Sequence, residues 1–197
     1  MKKRLARAML YDPSLVIEDC PEVYRVDEDS ILLIRSLDVR PGERVLEVGC
    51  GSGVVSIHCT HAGAEVTAVD INPYAVECTR RNASRNGLEI DVRQSDMYCN
   101  VTGCFDTIVF NLPYLPVEEE GLLEKAWSGG GTGVQPLERL LEGAGDRLVP
   151  GGRVVVVVSS LMTAEELNGI LSDHSVRIMG ELSLFFEVLR VLEIVIP

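Results

Sequence analysis

Short β-branched runs separated by helical patterns set the strongest limit on what this chain can fold into. Residues 44–48 (RVLEV), 65–69 (EVTAV), 105–110 (FDTIVF) and 153–159 (RVVVVVS) are bounded by Gly, Asn or Pro, as strands are. A helix is predicted over 73–86, with Asn72 as N-cap, Pro73 as its first residue and Gly87 as its stop. Another starts at Pro136 and places Leu137, Leu140, Leu141, Ala144 and Leu148 on one face until Pro150-Gly151-Gly152 ends it. Helical patterns also begin at Val54 and cover 163–174. This alternation predicts a parallel sheet covered on both faces. After residue 174 the pattern changes, because 175–184 and 186–196 are two strand-like runs with almost nothing between them. An antiparallel hairpin is expected there, at the end of a mostly parallel sheet.

The 197 residues fit a single domain, with 1–40 as an N-terminal helical extension and 41–197 as the core. With 30 acidic against 18 basic residues, the net charge of -12 repels a phosphate backbone, so nucleic acid is disfavoured as a partner. No apolar run is long enough to span a bilayer. Residues 1–10 begin like a signal peptide but are interrupted by Arg7 and reach Asp12-Pro13 too soon, so no export signal is read and a cytoplasmic location is expected. Six cysteines without C-x-x-C pairs fit reduced thiols better than a disulfide framework or a zinc site, and no metal site is expected. Cys99 and Cys104 are the one close pair, with a disulfide between them open only in an intracellular protein of a hyperthermophile.

Directly after the first core strand comes Glu47-Val48-Gly49-Cys50-Gly51-Ser52-Gly53, leading into a helix. Glycines there let backbone approach a ligand at a helix N-terminus. A turn serving only tight packing is the competing reading. The spacing differs from the dinucleotide fingerprint, and no P-loop Gly-Lys-Ser/Thr follows. Asp70 ends the second strand, where a carboxylate accepts from both hydroxyls of a ribose or, alternatively, caps the next helix. Glu47 would repel a pyrophosphate but favour the cationic amino and sulfonium groups of S-adenosylmethionine. These residues resemble the class I S-adenosylmethionine-dependent methyltransferases, with E-x-G-x-G-x-G on strand one and an acid after strand two. The resemblance implies an α/β, Rossmann-like, seven-stranded fold. It also assigns Asp96 to the adenine amino group and Met97 to the ring, although aspartates in such loops are commonly turn residues.

Asn111-Leu112-Pro113-Tyr114 follows the 105–110 strand and is similar to the N-P-P-Y motif of methyltransferases acting on planar amide or exocyclic amino nitrogens. The lone pair of such a nitrogen is delocalised, so the group must be turned toward the methyl carbon by hydrogen bonds to its N–H groups. In the family the Asn side-chain carbonyl and the next residue's backbone carbonyl accept them, and the aromatic ring stacks on the acceptor. Leu112 departs from the motif, yet keeps a backbone carbonyl, and Pro113 still biases it toward extended geometry. Asn111, Leu112, Pro113 and Tyr114 are therefore the catalytic candidates, and Asn111 also borders the donor. Direct displacement needs alignment rather than a nucleophile or base, and His58 and His61 are read as ordinary helix residues. Residues 111–133, including Gly129-Gly130-Gly131, form a connection far longer than usual, as functional loops do.

Val23-Tyr24-Arg25-Val26-Asp27-Glu28-Asp29-Ser30 resembles the V-Y-x-P-x-E-D-T/S segment of HemK-related glutamine methyltransferases, in the short archaeal and eukaryotic branch that modifies translation release factors. Ala126-Trp127-Ser128-Gly129-Gly130 is similar to that branch's A-W-x-G-G, and Phe185-Phe186-Glu187-Val188-Leu189 to its terminal hairpin. The resemblance implies N5-methylation of the glutamine in the Gly-Gly-Gln motif of a class 1 release factor. It implies further that a small zinc-binding activator subunit pairs near the third strand; Leu88-Glu-Ile-Asp-Val92 is read either as that edge strand, its backbone available for pairing, or equally as a third strand half buried in a monomer. The bacterial relatives' N-terminal recognition domain is not expected, since the first core strand begins near Arg44. Methylation of adenine N6 or another nucleic-acid amino group is the alternative. A protein lysine acceptor and a non-catalytic S-adenosylmethionine-binding protein stand behind it.

Overall fold

The computed structural model describes residues 9–119, 121 and 123–197. The stretch read for an export signal lies, up to Ala8, outside them. Helix α1 (Glu28–Ser36) precedes β1 (Arg44–Val48), α2 (Val54–His61), β2 (Glu65–Asp70), α3 (Pro73–Arg85), β3 (Asp91–Gln94) and β4 (Phe105–Phe110). After a 3-10 turn at Glu124–Ala126 come α4 (Gln135–Ala144), β5 (Leu148–Ser159), α5 (Ala164–Leu171), β6 (Ser175–Ser183) and β7 (Val188–Val195). The strands form one seven-stranded sheet in the order β3-β2-β1-β4-β5-β7-β6. β1 to β5 are parallel, and β7 pairs antiparallel with both β5 and β6, so the parallel sheet and its terminal hairpin are as expected.

Side-chain alternation sends successive strand residues to opposite faces. Ile108, Phe110, Val154 and Val156 pack with Leu137, Leu140 and Leu141 of α4. Val45, Val109, Val155 and Val157 face the other way, toward Leu33 and Ile34 of α1 and Val55 of α2. Burying each such side chain contributes about 1.5–3 kcal/mol. Asn72 caps α3 as its sequence predicts, its side chain accepting from the Tyr74 N–H at 2.9 Å.

Four expectations need correcting. The 1–40 extension contains one helix, α1, among its described residues, and residues 9–27 run mostly without regular structure. Asn82 of α3 and Asn86, the residue that caps its C-terminus, hold that strap, each side-chain amide accepting from and donating to one backbone position, Glu18 and Val16 respectively. The helix begun at Pro136 stops at Ala144, because Leu148 already pairs with Phe105 and a register shift absorbs Pro150-Gly151 into β5. The third strand is Asp91–Gln94, three residues later than expected at its start, and it lies on the sheet edge. Finally, Cys20 and Cys78 form a disulfide across 58 residues, while Cys99 and Cys104 are free. Docking of the strap on α3 brings the first pair within 6.1 Å between Cα atoms, which spacing along the chain does not reveal.

Candidate active site

Strand register assembles the site. β1 and β4 are neighbours at the point where the sheet order reverses, and Val48 pairs with Phe110. The glycine turn and Asn111 therefore leave the sheet side by side at its carboxyl end, where open α/β sheets bind ligands. The approach is close enough that a Cβ on Gly49 would stand 2.6 Å from the Phe110 ring. A cavity of about 620 Å³ opens there, within the ordinary range for small-molecule sites.

On one side of this cavity, Asp70 accepts from the Gly51 N–H at 3.0 Å and the Asn72 N–H at 2.9 Å. Burial raises its pKa and these backbone donors oppose the rise. Glu47 is 3% exposed and its carboxylate accepts from both the backbone and the hydroxyl of Ser56. Burial pushes it up to about 8 despite those bonds, and neighbouring Asp70 adds to the rise. A cation in the cavity would be favoured by both carboxylates, so the pair suits a ligand carrying positive charge beside a diol. Asp96 lines the same wall, pairing with Arg139 at 2.9 Å, and Met97 beside it has a left-handed φ of 47°. Gly49 and Gly51 line the cavity. Gly53 serves packing instead: it adopts φ 82° at the start of α2, and a Cβ there would meet Thr79 at 2.8 Å.

The opposite wall carries Asn111, Leu112, Pro113 and Tyr114. Leu112 is 1% exposed because its side chain turns into the core, leaving only its backbone for the cavity. The Tyr114 hydroxyl is pushed up by burial and by Asp29 and Glu187, so the ring stays neutral. The Asn111 Nδ2 donates to Ser30 Oγ at 3.3 Å, whereas its Oδ1 is buried without a partner. Buried polar atoms are nearly always paired, so an unpartnered oxygen in the cavity wall is a candidate acceptor for a ligand N–H. Tyr24, Asp29 and Ser30 also line the cavity. Their segment carries a family resemblance in the sequence, but its contribution to the site depends on the packing of α1. The long loop closes back through a Leu115–Ser128 bridge and brings Trp127 into the wall. His58 is structural: its Nε2 accepts from the Asp12 N–H and its ring stacks on Tyr11. No group of three or more metal-ligating side chains occurs among the described residues.

A Rossmann-like sheet with an acid-lined donor pocket facing an asparagine–tyrosine wall defines an S-adenosylmethionine-dependent methyltransferase. The chain belongs to the family described as "Methyltransferase small domain", whose model matches residues 21–181. A Methanocaldococcus jannaschii relative, named "Putative protein N5-glutamine methyltransferase", is 40% identical over 179 residues, covering 87% of this chain and 91% of its own. Ribosomal RNA small subunit methyltransferase C of Chromohalobacter salexigens is 36% identical over 155 residues, 75% of this chain but 43% of that protein. Among solved structures, the E. cuniculi Mtq2-Trm112 complex, described as responsible for methylating the eRF1 translation termination factor, has a TM-score of 0.72 at 20% identity. The match covers 89% of this chain and 99% of the other. No helix of the described residues is long and apolar enough to cross a membrane.

Proposed function

We propose that this methyltransferase acts in the cytoplasm on the side-chain amide nitrogen (N5) of the glutamine in the Gly-Gly-Gln motif of a class 1 translation release factor. The observation that carries the reading is the unpartnered Asn111 Oδ1, buried in the cavity wall beside Pro113 and Tyr114. A primary amide presents two N–H groups in one plane. Asn111 Oδ1 accepts one, the Leu112 backbone carbonyl accepts the other, and the Tyr114 ring lies against the plane. This arrangement turns the nitrogen toward the donor side, where Glu47 and Asp70 would hold the ammonium and ribose ends of S-adenosylmethionine, with Asp96 and Met97 at the adenine. Bound there, that cofactor supplies an electrophilic methyl carbon. Orientation of this kind supplies about 7–11 kcal/mol of barrier reduction.

The names of the M. jannaschii relative and the Mtq2 complex support this acceptor. That complex of two proteins also supports a partner subunit, which the resemblance in sequence makes a small zinc-binding activator, and β3 offers an edge to which another chain can pair. Incubation of the release factor with this protein, the activator and labelled donor tests the proposal by mass spectrometry. A 14-dalton gain on that glutamine is expected, and its loss with Asn111→Ala. (The mass is about that of one CH₂.) A second reading, methylation of a nucleic-acid amino group, is favoured by the ribosomal RNA methyltransferase relative. Radiolabel appearing in RNA and not in release factor would select it, against the net charge of -12.

A further inference from the structure

The two ends of the Asn111 amide meet different surroundings. Its Nδ2 faces α1, donates to Ser30 Oγ at 3.3 Å and also hydrogen-bonds the Asp29 side chain, whose pKa burial raises and this bond lowers, while Oδ1 is buried without a partner. Ser30 and Asp29 are each 5% exposed and both line the cavity. Asp29 Oδ1 accepts from the Ser30 N–H at 2.5 Å and from its hydroxyl at 3.1 Å. A serine hydroxyl has one proton and two lone pairs. With the proton committed to Asp29, Ser30 Oγ offers residue 111 only a lone pair. An inverted amide would then set Oδ1 against Ser30 Oγ with no proton between them. It would also present N–H groups to the cavity, where the incoming acceptor brings N–H groups of its own.

We infer that Asp29 and Ser30 are positioning residues for methyl transfer, a relay that fixes which end of the Asn111 amide faces the acceptor. The inference rests on the reading of Asn111 proposed above. It holds for a glutamine amide and for a ring amino group alike, since both donate N–H. The relay reaches across 81 residues of sequence. Its rigidity comes from α1, whose first N–H is capped by the Asp27 side chain at 2.9 Å and whose Leu33 and Ile34, with Leu37 just after its end, are fully buried. Nothing in the relay touches the reacting atoms. Its effect is to keep the productive orientation of Asn111 populated.

The test compares Ser30→Ala, Ser30→Thr, Asn111→Ala and the Ser30→Ala/Asn111→Ala double variant in the full chain. Turnover at saturating donor and acceptor is measured beside donor affinity by calorimetry. Ser30→Ala is expected to lower kcat about 10- to 100-fold, with donor Kd changed less than about threefold. Ser30→Thr, which keeps the hydroxyl, restores kcat to within about fivefold of wild type, a rescue that a packing role would not give. The double variant is expected to be no slower than Asn111→Ala, as for residues acting as a unit. A donor Kd weakened as much as kcat falls would make Ser30 a donor ligand and overturn the inference, as would independent, multiplying losses. The Asn111 side-chain amide protons give a reading that needs no acceptor. In Ser30→Ala their solvent exchange, followed by NMR, should quicken at least about tenfold, and unchanged exchange sinks the relay. If wild type labels RNA and not release factor, the substrate proposal fails while the relay is measured on RNA.

Discussion

The proposed donor side of the cavity is built mostly from residues 47–72, with Asp96 and Met97 joining from the loop after β3, whereas the proposed acceptor side joins residues 111–114 to Tyr24, Asp29 and Ser30 far earlier in the chain. On the donor side the two carboxylates beside the glycine turn are already held by local donors: Asp70 by Gly51 and Asn72, Glu47 by Ser56. On the acceptor side an oxygen stays open, although leaving a buried acceptor unpaired costs about 1–3 kcal/mol. The difference separates two tasks. A donor pocket must pre-exist, while an acceptor slot gains its binding energy by completing a bond the fold withholds. On the proposed reading, the cost is recovered when the acceptor arrives, in the geometry that transfer needs.

The most direct way to break this comparison is Asn111→Ala. It removes the open acceptor and is expected to lower kcat about 100- to 1,000-fold, as loss of one preorganised polar group does at other sites. Donor Kd should move less than about threefold, and melting should stay within about 4 °C of wild type. A donor affinity that collapsed with turnover would show the two sides to be one. Asp70→Ala is the mirror experiment. Calorimetry should show donor Kd raised about 10- to 100-fold, and folding stability lowered by about 2 kcal/mol as two backbone N–H groups lose their acceptor. At saturating donor, kcat should recover to within about fivefold.

The same contrast explains what could be read without coordinates. Arg44–Val48 and Phe105–Phe110 are strands at the residues predicted, since a fully buried parallel strand leaves an unmistakable β-branched run. The donor motif is equally legible, because a tight turn at a strand end demands glycine and the next strand ends in its acid. Gly53 shows the limit: the pattern marks a glycine, but only packing distinguishes ligand approach from contact with Thr79. Asp29 and Ser30 become site residues through the docking of α1, a long-range event that the motif resemblance of residues 23–30 does not reveal. Cys20–Cys78 is hidden for the same reason, and β5 swallowed Pro150 because sheet pairing overrode a strong local stop.

A pH series sharpens the donor side further. Glu47 sits at about 8 in the protein, raised by burial from an ordinary value of 4.5. A carboxyl raised on folding binds more protons folded than unfolded between those values. Stability without donor should therefore fall as pH rises from about 4.5 to about 8 and flatten above. A cationic donor favours the ionised carboxylate, so its binding at pH 7 should release a proton. Its affinity should rise about tenfold between pH 6.5 and pH 8.5, with the thermal shift growing in step. Calorimetry in buffers of different ionisation enthalpy reads the proton directly, and Glu47→Gln should abolish both the release and the slope.

The smallest effect on turnover is expected from the disulfide. Cys20 ties the strap to α3 just before Val23 and Tyr24 enter the cavity wall, so reduction tests whether that wall depends on a covalent anchor. The strap has other holds: the amides of Asn82 and Asn86 each bind one strap residue through both its N–H and its C=O, and Asn72 binds Glu22. Closing a loop of this length restricts the unfolded chain by about 4 kcal/mol in the entropy model. Cys20→Ser/Cys78→Ser should consequently melt markedly lower while kcat and donor Kd stay within about threefold. A fall in kcat at unchanged donor Kd would instead make the strap part of the acceptor wall's mechanics. It would extend the long-range character of that side from Asp29 and Ser30 back to Cys20.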